Sequence, residues 1–376
     1  MKTVFVDQAS DETGGAQESL ALLLAHLPPS IDPTVVLFGD GSYARRIREL
    51  GLNVHVLGAP TAIAGATRER ISLGAARAAG SSVLQLTSLL ARLKPAVVHT
   101  NSLKAHVVGG TAARLVGIPT VTHLRDVLDG RARTLVKSIS AVSSRERIAI
   151  SSLVAENFGL TATTVVENPL DLSAYEGLVS RTRAREALSL PPAARIVILI
   201  GRINRWKGHD RFLRAAAALP REAGAHFVIA GSARFRDADF LPELQQLARS
   251  PELSGRVSFI DWLEDPRELF AAADLNVNCS TREPFGRTVI EAAAAGVPSV
   301  VFDDSGVAEF MKPDGVGTIV PAGDELRLRD AIASYVTMEN TDLDAARAKA
   351  KTWARRFEAK THASRVAEIL TRAARR

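Results

Sequence analysis

Short apolar runs alternate along this chain with longer segments in which apolar residues recur every three to four positions, the pattern of parallel strands covered by helices. In the first half, Thr3 to Val6, Val35 to Phe38, Val54 to Leu57, Ala96 to His99, Thr120 to Thr122 and Ile139 to Val142 read as strands. Helices are expected over Ala16 to His26, Tyr43 to Leu50, Ala75 to Leu93 and Ala105 to Leu115. A second series of strands follows Pro191-Pro192: Ile196 to Ile200, His226 to Ala230, Val257 to Ile260, Leu275 to Asn278, Ser299 to Phe302 and Thr318 to Val320. The pattern predicts an α/β fold of two doubly wound, Rossmann-like domains. From Asn168 to Pro192 the chain has Pro169, Gly177 and Pro191, mixed charge and no long apolar face. Residues 173–192 therefore read as a linker between domains 1–172 and 193–352. Two such sheets side by side leave a cleft beyond their C-terminal strand ends, where ligands of these folds bind.

Composition narrows the class. With 46% hydrophobic and 23% charged residues over 376 positions, the chain can bury two cores, which excludes disorder as its main state. The single cysteine, Cys279, can form neither an internal disulfide nor a multi-cysteine zinc site, and fits a cytoplasmic setting. Asp7 interrupts the first apolar run too early for a signal peptide, and no segment approaches the roughly 20 apolar residues of a membrane span. The net charge of +6 is concentrated: Ala345 to Arg376 holds ten Lys/Arg against Glu358 and Glu368, leaving the rest of the chain near neutral. With only 5% aromatic residues, this is unlike a nucleic-acid groove. The basic tail reads as a solvated helix face or as a patch for peripheral contact with an anionic membrane.

Two segments carry candidate chemistry. In Thr281-Arg282-Glu283-Pro284-Phe285-Gly286-Arg287-Thr288-Val289-Ile290-Glu291, the proline and glycine stop a helix from starting before about Arg287. The first amides of that helix are free to face an anion, above all a phosphate. Glu283 in the loop and Glu291 on the helix offer acceptor-only carboxylates suited to the vicinal hydroxyls of a sugar or ribose. Each taken alone also fits an exposed helix glutamate or a loop glutamate capping an amide. The other segment, Ile200-Gly201-Arg202-Ile203-Asn204-Arg205-Trp206-Lys207-Gly208, follows the first strand of the second domain. Arg202 and Lys207 can neutralise a departing diphosphate there, or serve as an ordinary charged loop.

The pairing of Gly201-Arg202 and Lys207-Gly208 with Glu283-Pro-Phe-Gly and Glu291 resembles the family 4 glycosyltransferases, retaining enzymes of the GT-B fold. The resemblance extends to Gly14-Gly15-Ala16-Gln17, Val98-His99-Thr100-Asn101-Ser102, Ser143-Ser144 and Asn168. It implies two Rossmann-like domains facing across a cleft, with a final helix from about 353 to 376 crossing back to the first domain. It implies that Arg202 and Lys207 hold the donor diphosphate, that Glu291 binds the ribose, and that Glu283 contacts the transferred sugar. The amides around Phe285, Gly286, Arg287 and Thr288 would complete the donor site. His123, in Thr122-His123-Leu124-Arg125, matches the family's sugar-side histidine, and Gly15 would approach the phosphate or acceptor. Arg287 and Thr288 stand where many members carry aliphatic residues, and Pro169 where the family has glycine; an extra cation at Arg287 suits a charged donor or acceptor.

Asp237-Ala238-Asp239 has the form of a metal-holding pair but lies beside Arg234 and Arg236, away from a strand end, and reads as a solvated loop. Phosphate-loop, serine-elbow and zinc-protease motifs are absent from the sequence. The expectation is a retaining transferase using a nucleoside-diphosphate sugar without a cofactor or metal. Its acceptor would be a glycan, a lipid-linked molecule or a small metabolite, and Arg68, Arg70 and Arg131 suggest a lipid or phosphate-bearing one. The rivals are an epimerase or phosphorylase on the same fold, and a non-catalytic binder of polyanions or membranes.

Overall fold

The computed structural model describes residues 1–376 except 9–13, 59–72, 234–238, 264 and 376. The chain forms two compact units, Met1–Leu170 with Ala359–Arg376, and Asp171–Glu358.

The first unit is built on β1 (Lys2–Asp7), β2 (Asp32–Leu37), β3 (Asn53–Val56), β4 (Val97–Thr100), β5 (Thr120–Leu124), β6 (Ser144–Ala149) and β7 (Thr163–Val165). They form one sheet in the order β3-β2-β1-β4-β5-β6-β7, with parallel pairs throughout. Its helices are α1 (Gly15–Ala25), α2 (Ser42–Glu49), α3 (Leu73–Leu93), α4 (Leu103–Leu115), α5 (Gly130–Ser143) and α6 (Ser152–Phe158), joined by a C-terminal helix, Ala359–Arg375. Side chains alternate between the faces of a strand. Along β1, Val4 and Val6 pack under α3 and α4, while Phe5 packs with α1, α2 and the C-terminal helix. Two glycines let α4 approach its neighbours. A Cβ on Gly109 would meet Thr100 Cγ2 at 2.8 Å, and one on Gly110 would meet Ile139 Cγ2 at 2.9 Å.

The second unit repeats the architecture with β8 (Arg195–Ile200), β9 (Ala225–Ala230), β10 (Val257–Ile260), β11 (Leu275–Asn278), β12 (Ser299–Phe302) and β13 (Thr318–Val320). Their order is β10-β9-β8-β11-β12-β13, again parallel. Around them lie α7 (Arg181–Ala187), α8 (His209–Ala217), α9 (Phe240–Ala248), α10 (Arg267–Ala272), α11 (Arg287–Ala294), α12 (Ala308–Met311), α13 (Glu325–Val336) and α14 (Asn340–Ala354).

Three expectations are corrected. Ile139 to Val142 is the end of α5, and the strand is β6 just after it. Hydropathy hides β6 because Glu146 and Arg147 are buried by pairing. Glu146 accepts from Arg372 at 2.8 Å, and Arg147 donates to the Ser140 carbonyl at 2.9 Å. Residues 173–192 are not a free linker: they form a 3-10 turn, Ser173–Tyr175, and α7 within the second unit. Arg185 of α7 anchors there through Asp274 Oδ2 at 2.7 Å and the Ala272 carbonyl at 3.1 Å. The final helix crosses back from Ala359, not Trp353. Trp353 lies in the last turn of α14, where its indole donates to the Phe310 carbonyl at 3.1 Å.

Candidate functional site

In the second unit the chain leaves β8 at Ile200, makes a 3-10 turn over Arg205–Lys207, and enters α8 through Gly208. Gly208 sits at φ 76°, and a Cβ there would lie 2.4 Å from the Cys279 carbonyl oxygen. Only glycine lets this turn touch the end of β11. Thr281 N donates to the Trp206 carbonyl at 2.8 Å, and Arg211 donates to Thr281 Oγ1 at 2.8 Å, fastening the two loops together. Lys207 Nζ consequently reaches Glu283 Oε2 at 2.5 Å and lies 4.2 Å from the centre of the Trp206 ring. The Lys207 and Glu283 side chains are 19% and 10% exposed, so their attraction is only partly screened. Arg202 is exposed on the same turn.

Glu283 is held from behind, its carbonyl accepting from Gly306 N at 2.8 Å. Beyond it, Gly286 at φ 97° caps α11, and a Cβ there would come within 3.2 Å of Val307 Cγ1. Arg287 and Glu291, one turn apart on α11, form an ion pair at 3.2 Å. Thr288, the next residue on α11, is half-buried. The Phe285 ring is committed to an aromatic cluster, 5.9 Å from Phe310 and 6.0 Å from Phe357. What remains at Phe285 for a ligand is its backbone. Tyr175, in the segment expected as a linker, lies close enough to Glu291 that burial, then that carboxylate, push its phenol strongly upward. Nothing in the sequence marked Tyr175, because it is distant along the chain and outside any motif.

In the first unit Gly15 is the exposed first residue of α1. His123 is fully buried at the end of β5. The Arg125 guanidinium donates to its Nδ1 at 3.3 Å, so that nitrogen is an acceptor and the ring proton resides on Nε2. His99 Nε2 donates to the same Nδ1 at 3.2 Å. His123 Nε2 has no hydrogen-bond partner among the described residues. Burial, then the charge of Arg125, holds both His99 and His123 well below the ordinary histidine range and His106 at about 3. Arg125 also donates to Asn101 Oδ1 and Asn168 Oδ1, each at 2.6 Å, and Asn101 donates to Asp7 Oδ2 at 2.8 Å. Burial raises the Asp7 carboxyl above its ordinary value. His123 thus belongs to a polar core of which the sequence displayed single members but not the assembly.

Among the described residues no group of three or more His, Cys, Asp or Glu could hold a metal ion, and no helix is long and apolar enough to cross a membrane. Asp237 and Ala238 of the formal carboxylate pair, like Arg68 and Arg70, lie outside the described residues.

Two family models match the chain: a glycosyl transferase 4-like domain over residues 14–166, and glycosyl transferases group 1 over 180–353. The lipopolysaccharide core biosynthesis glycosyltransferase LpsE of Rhizobium meliloti is 34% identical over 152 residues, 40% of this chain and 42% of that protein. The lipopolysaccharide core biosynthesis mannosyltransferase LpsB of the same organism is 29% identical over 210 residues, 55% of this chain and 58% of that protein. The chain thus spans about half the length of these curated relatives. Among solved structures, Anabaena HepE in complex with UDP and glucose matches with a TM-score of 0.82 at 26% identity over 99% of both chains. With a glycosyltransferase family model matching each unit and the fold matched along the whole chain, this protein is a GT-B-fold relative of the family 4 glycosyltransferases.

Proposed function

We propose that the protein transfers a sugar from a nucleoside-diphosphate sugar to an acceptor hydroxyl, with retention at the anomeric carbon, in the assembly of a cell-envelope glycan. The observation that carries this reading is the direct pairing of Lys207 with Glu283 at 2.5 Å, which joins the cationic turn after β8 to the acidic loop after β11. Both loops stand at the C-terminal ends of their parallel strands, where open α/β sheets take ligands. Support for the substrate class comes from relatives named for lipopolysaccharide core biosynthesis and a structural relative holding UDP and glucose.

In this reading Arg202 and Lys207 bind the diphosphate, and the first amides of α11 add to them through the positive end of the helix. Glu283 accepts hydrogen bonds from the transferred sugar and Glu291 from the ribose. Arg287 holds Glu291 in place through their ion pair. Gly15 leaves room for the phosphate or acceptor at the start of α1. His123 Nε2–H is the donor left over for a sugar hydroxyl, and its burial means that β5 or its cover must shift to admit one. The bond from the anomeric carbon to the phosphate oxygen breaks as the acceptor oxygen bonds on the same face. The acceptor proton passes to the departing phosphate, whose charge the two cations stabilise more strongly as it grows. No resident cofactor or metal takes part.

We place the reaction at the cytoplasmic side of the membrane. Cys279 is the lone cysteine, and burial pushes its thiol up to about 12, leaving it inert. In the basic C-terminal segment Arg347, Arg356, Arg365 and Arg372 pair with Asp274, Asp314, Glu167 and Glu146 of their own units. A thermal-shift panel of nucleoside diphosphates, followed by product analysis on the matching sugar conjugates with and without acceptor, tests the proposal. Stabilisation by one diphosphate and acceptor-dependent release of it are expected. Epimerised donor, or phosphate-dependent cleavage, would replace transfer by one of the rival activities.

A further inference from the structure

The Arg125 guanidinium is pinned from several directions. Its Nε donates to Asn101 Oδ1 at 2.6 Å, Nη1 to Asn168 Oδ1 at 2.6 Å and Nη2 to His123 Nδ1 at 3.3 Å. Asn101 is itself oriented, its amide donating to Asp7 Oδ2 at 2.8 Å and to the Ala16 carbonyl at 3.2 Å. These groups stand at or just past the C-terminal ends of β1, β4, β5 and β7, and Arg125 is only 6% exposed. The titratable groups around the His123 ring are Arg125, His99, His106 and His362, and the His362 ring of the C-terminal helix stacks on it at 6.1 Å and 26°. Burial, then Arg125, keeps the His123 ring neutral, so it carries one proton on one of two nitrogens. Of the two groups hydrogen-bonded to Nδ1, His99 Nε2 can in principle give or take a proton, whereas a guanidinium has no lone pair to offer. Arg125 removes the choice. It makes Nδ1 an acceptor, which obliges His99 to carry its proton on Nε2 as well. His99 Nδ1 is then a bare lone pair, and it has no hydrogen-bond partner among the described residues.

We propose that Arg125 is a positioning residue for the transfer reaction: it fixes the proton of His123 on Nε2, so that this side chain meets a sugar only as a donor. The other tautomer would set an N–H against the guanidinium N–H and offer the sugar a lone pair in place of a donor. Arg125 acts through the ring and does not itself touch the substrate. The proposal rests on the reading of His123 as a sugar-side donor, whereas the tautomer it assigns can be measured without any substrate.

The test begins with NMR of the full chain labelled with heavy nitrogen in its histidine rings, the His123 signals being identified by their loss in His123→Gln. At neutral pH the expected spectrum has Nε2 protonated and Nδ1 bare; a proton on Nδ1, or on both nitrogens, overturns the proposal. His99→Phe, which keeps Arg125, should leave that tautomer unchanged, and a shift of the proton to Nδ1 there would give the role to His99 instead. Arg125→Met removes the obligatory donor and should release the Nδ1–H tautomer, lowering kcat by roughly 10- to 100-fold with little change in KM. Turnover is read with whichever of UDP-glucose and GDP-mannose the wild type consumes. Adding Arg125→Met to His123→Gln should cost nothing further, and losses that multiply would show that the arginine acts by another route. Full turnover in Arg125→Met overturns the proposal alone, whereas full turnover in His123→Gln overturns it together with the sugar-side reading of His123. Where Arg125→Met does not fold, the wild-type and His99→Phe spectra still decide.

Discussion

Lys207 and Glu283 are each other's neutralising partner in a half-closed setting, so removing one exposes the other's charge to a poorly solvated site. Lys207→Ala should therefore lower nucleoside-diphosphate affinity by about tenfold or more and cost about 1–3 kcal/mol of stability. Lys207→Arg should restore most of the stability. Titration calorimetry and urea unfolding read the two effects separately, and unchanged affinity in the alanine variant would remove Lys207 from the donor site. The buried histidines give a second residue-scale expectation. A histidine held neutral in the fold contributes stability that is complete above its unfolded value near 6.5 and is lost as the pH falls toward its folded value. For His106, held at about 3, the loss at pH 5 is about 2 kcal/mol. His106→Asn should accordingly flatten the fall in stability between pH 7.5 and pH 5; an unaltered slope would show that His106 does not stay neutral. At this scale the sequence displayed Arg202, Lys207, Glu283 and Glu291 through their motif spacing. It could not display that Phe285 spends its ring on Phe310 and Phe357, or that Tyr175 stands near Glu291, because both facts are made by packing.

Elements were legible where burial is apolar and obscure where it is polar. The six strands of the second unit stand out as aliphatic runs, whereas β6 begins Ser-Arg-Glu-Arg and is buried through its ion pairs and carbonyl contacts. In the same way α7 has no apolar stripe and is fixed by Arg181 and Arg185, which both pair with Asp274. The loops at the candidate site depend on two glycines for different reasons, and the difference is measurable. At Gly208 an added Cβ would strike a backbone carbonyl that cannot move without β11, while at Gly286 it would press a valine methyl that can yield. Both positions also lie in the left-handed region, which costs an alanine roughly 1–2 kcal/mol. Gly208→Ala should thus be the more damaging, by more than about 2 kcal/mol, in the midpoint of chemical unfolding. The reverse order would mean that the turn and β11 are not in the contact described.

For the whole molecule the governing fact is that one unit is contiguous and the other is not. The C-terminal helix places Val366, Ile369 and Leu370 in the core beneath α1 and α2. Leu370→Ala should cost the first unit about 2–5 kcal/mol. Hydrogen exchange followed unit by unit should show faster exchange there and none added in β8–β13; equal acceleration in both would mean that they unfold as one. The return of the final helix was foreshadowed by resemblance, but its starting point was not, because the aromatic pair Trp353 and Phe357 reads as part of the same amphipathic run and instead belongs to the second unit. This arrangement has a temporal side. On the ribosome, residues 171–358 can complete their own core as soon as they emerge, whereas the earlier-made residues 1–170 must keep an apolar flank uncovered until the helix Ala359–Arg375 arrives. Of the two units, the one begun earlier is therefore the one finished later.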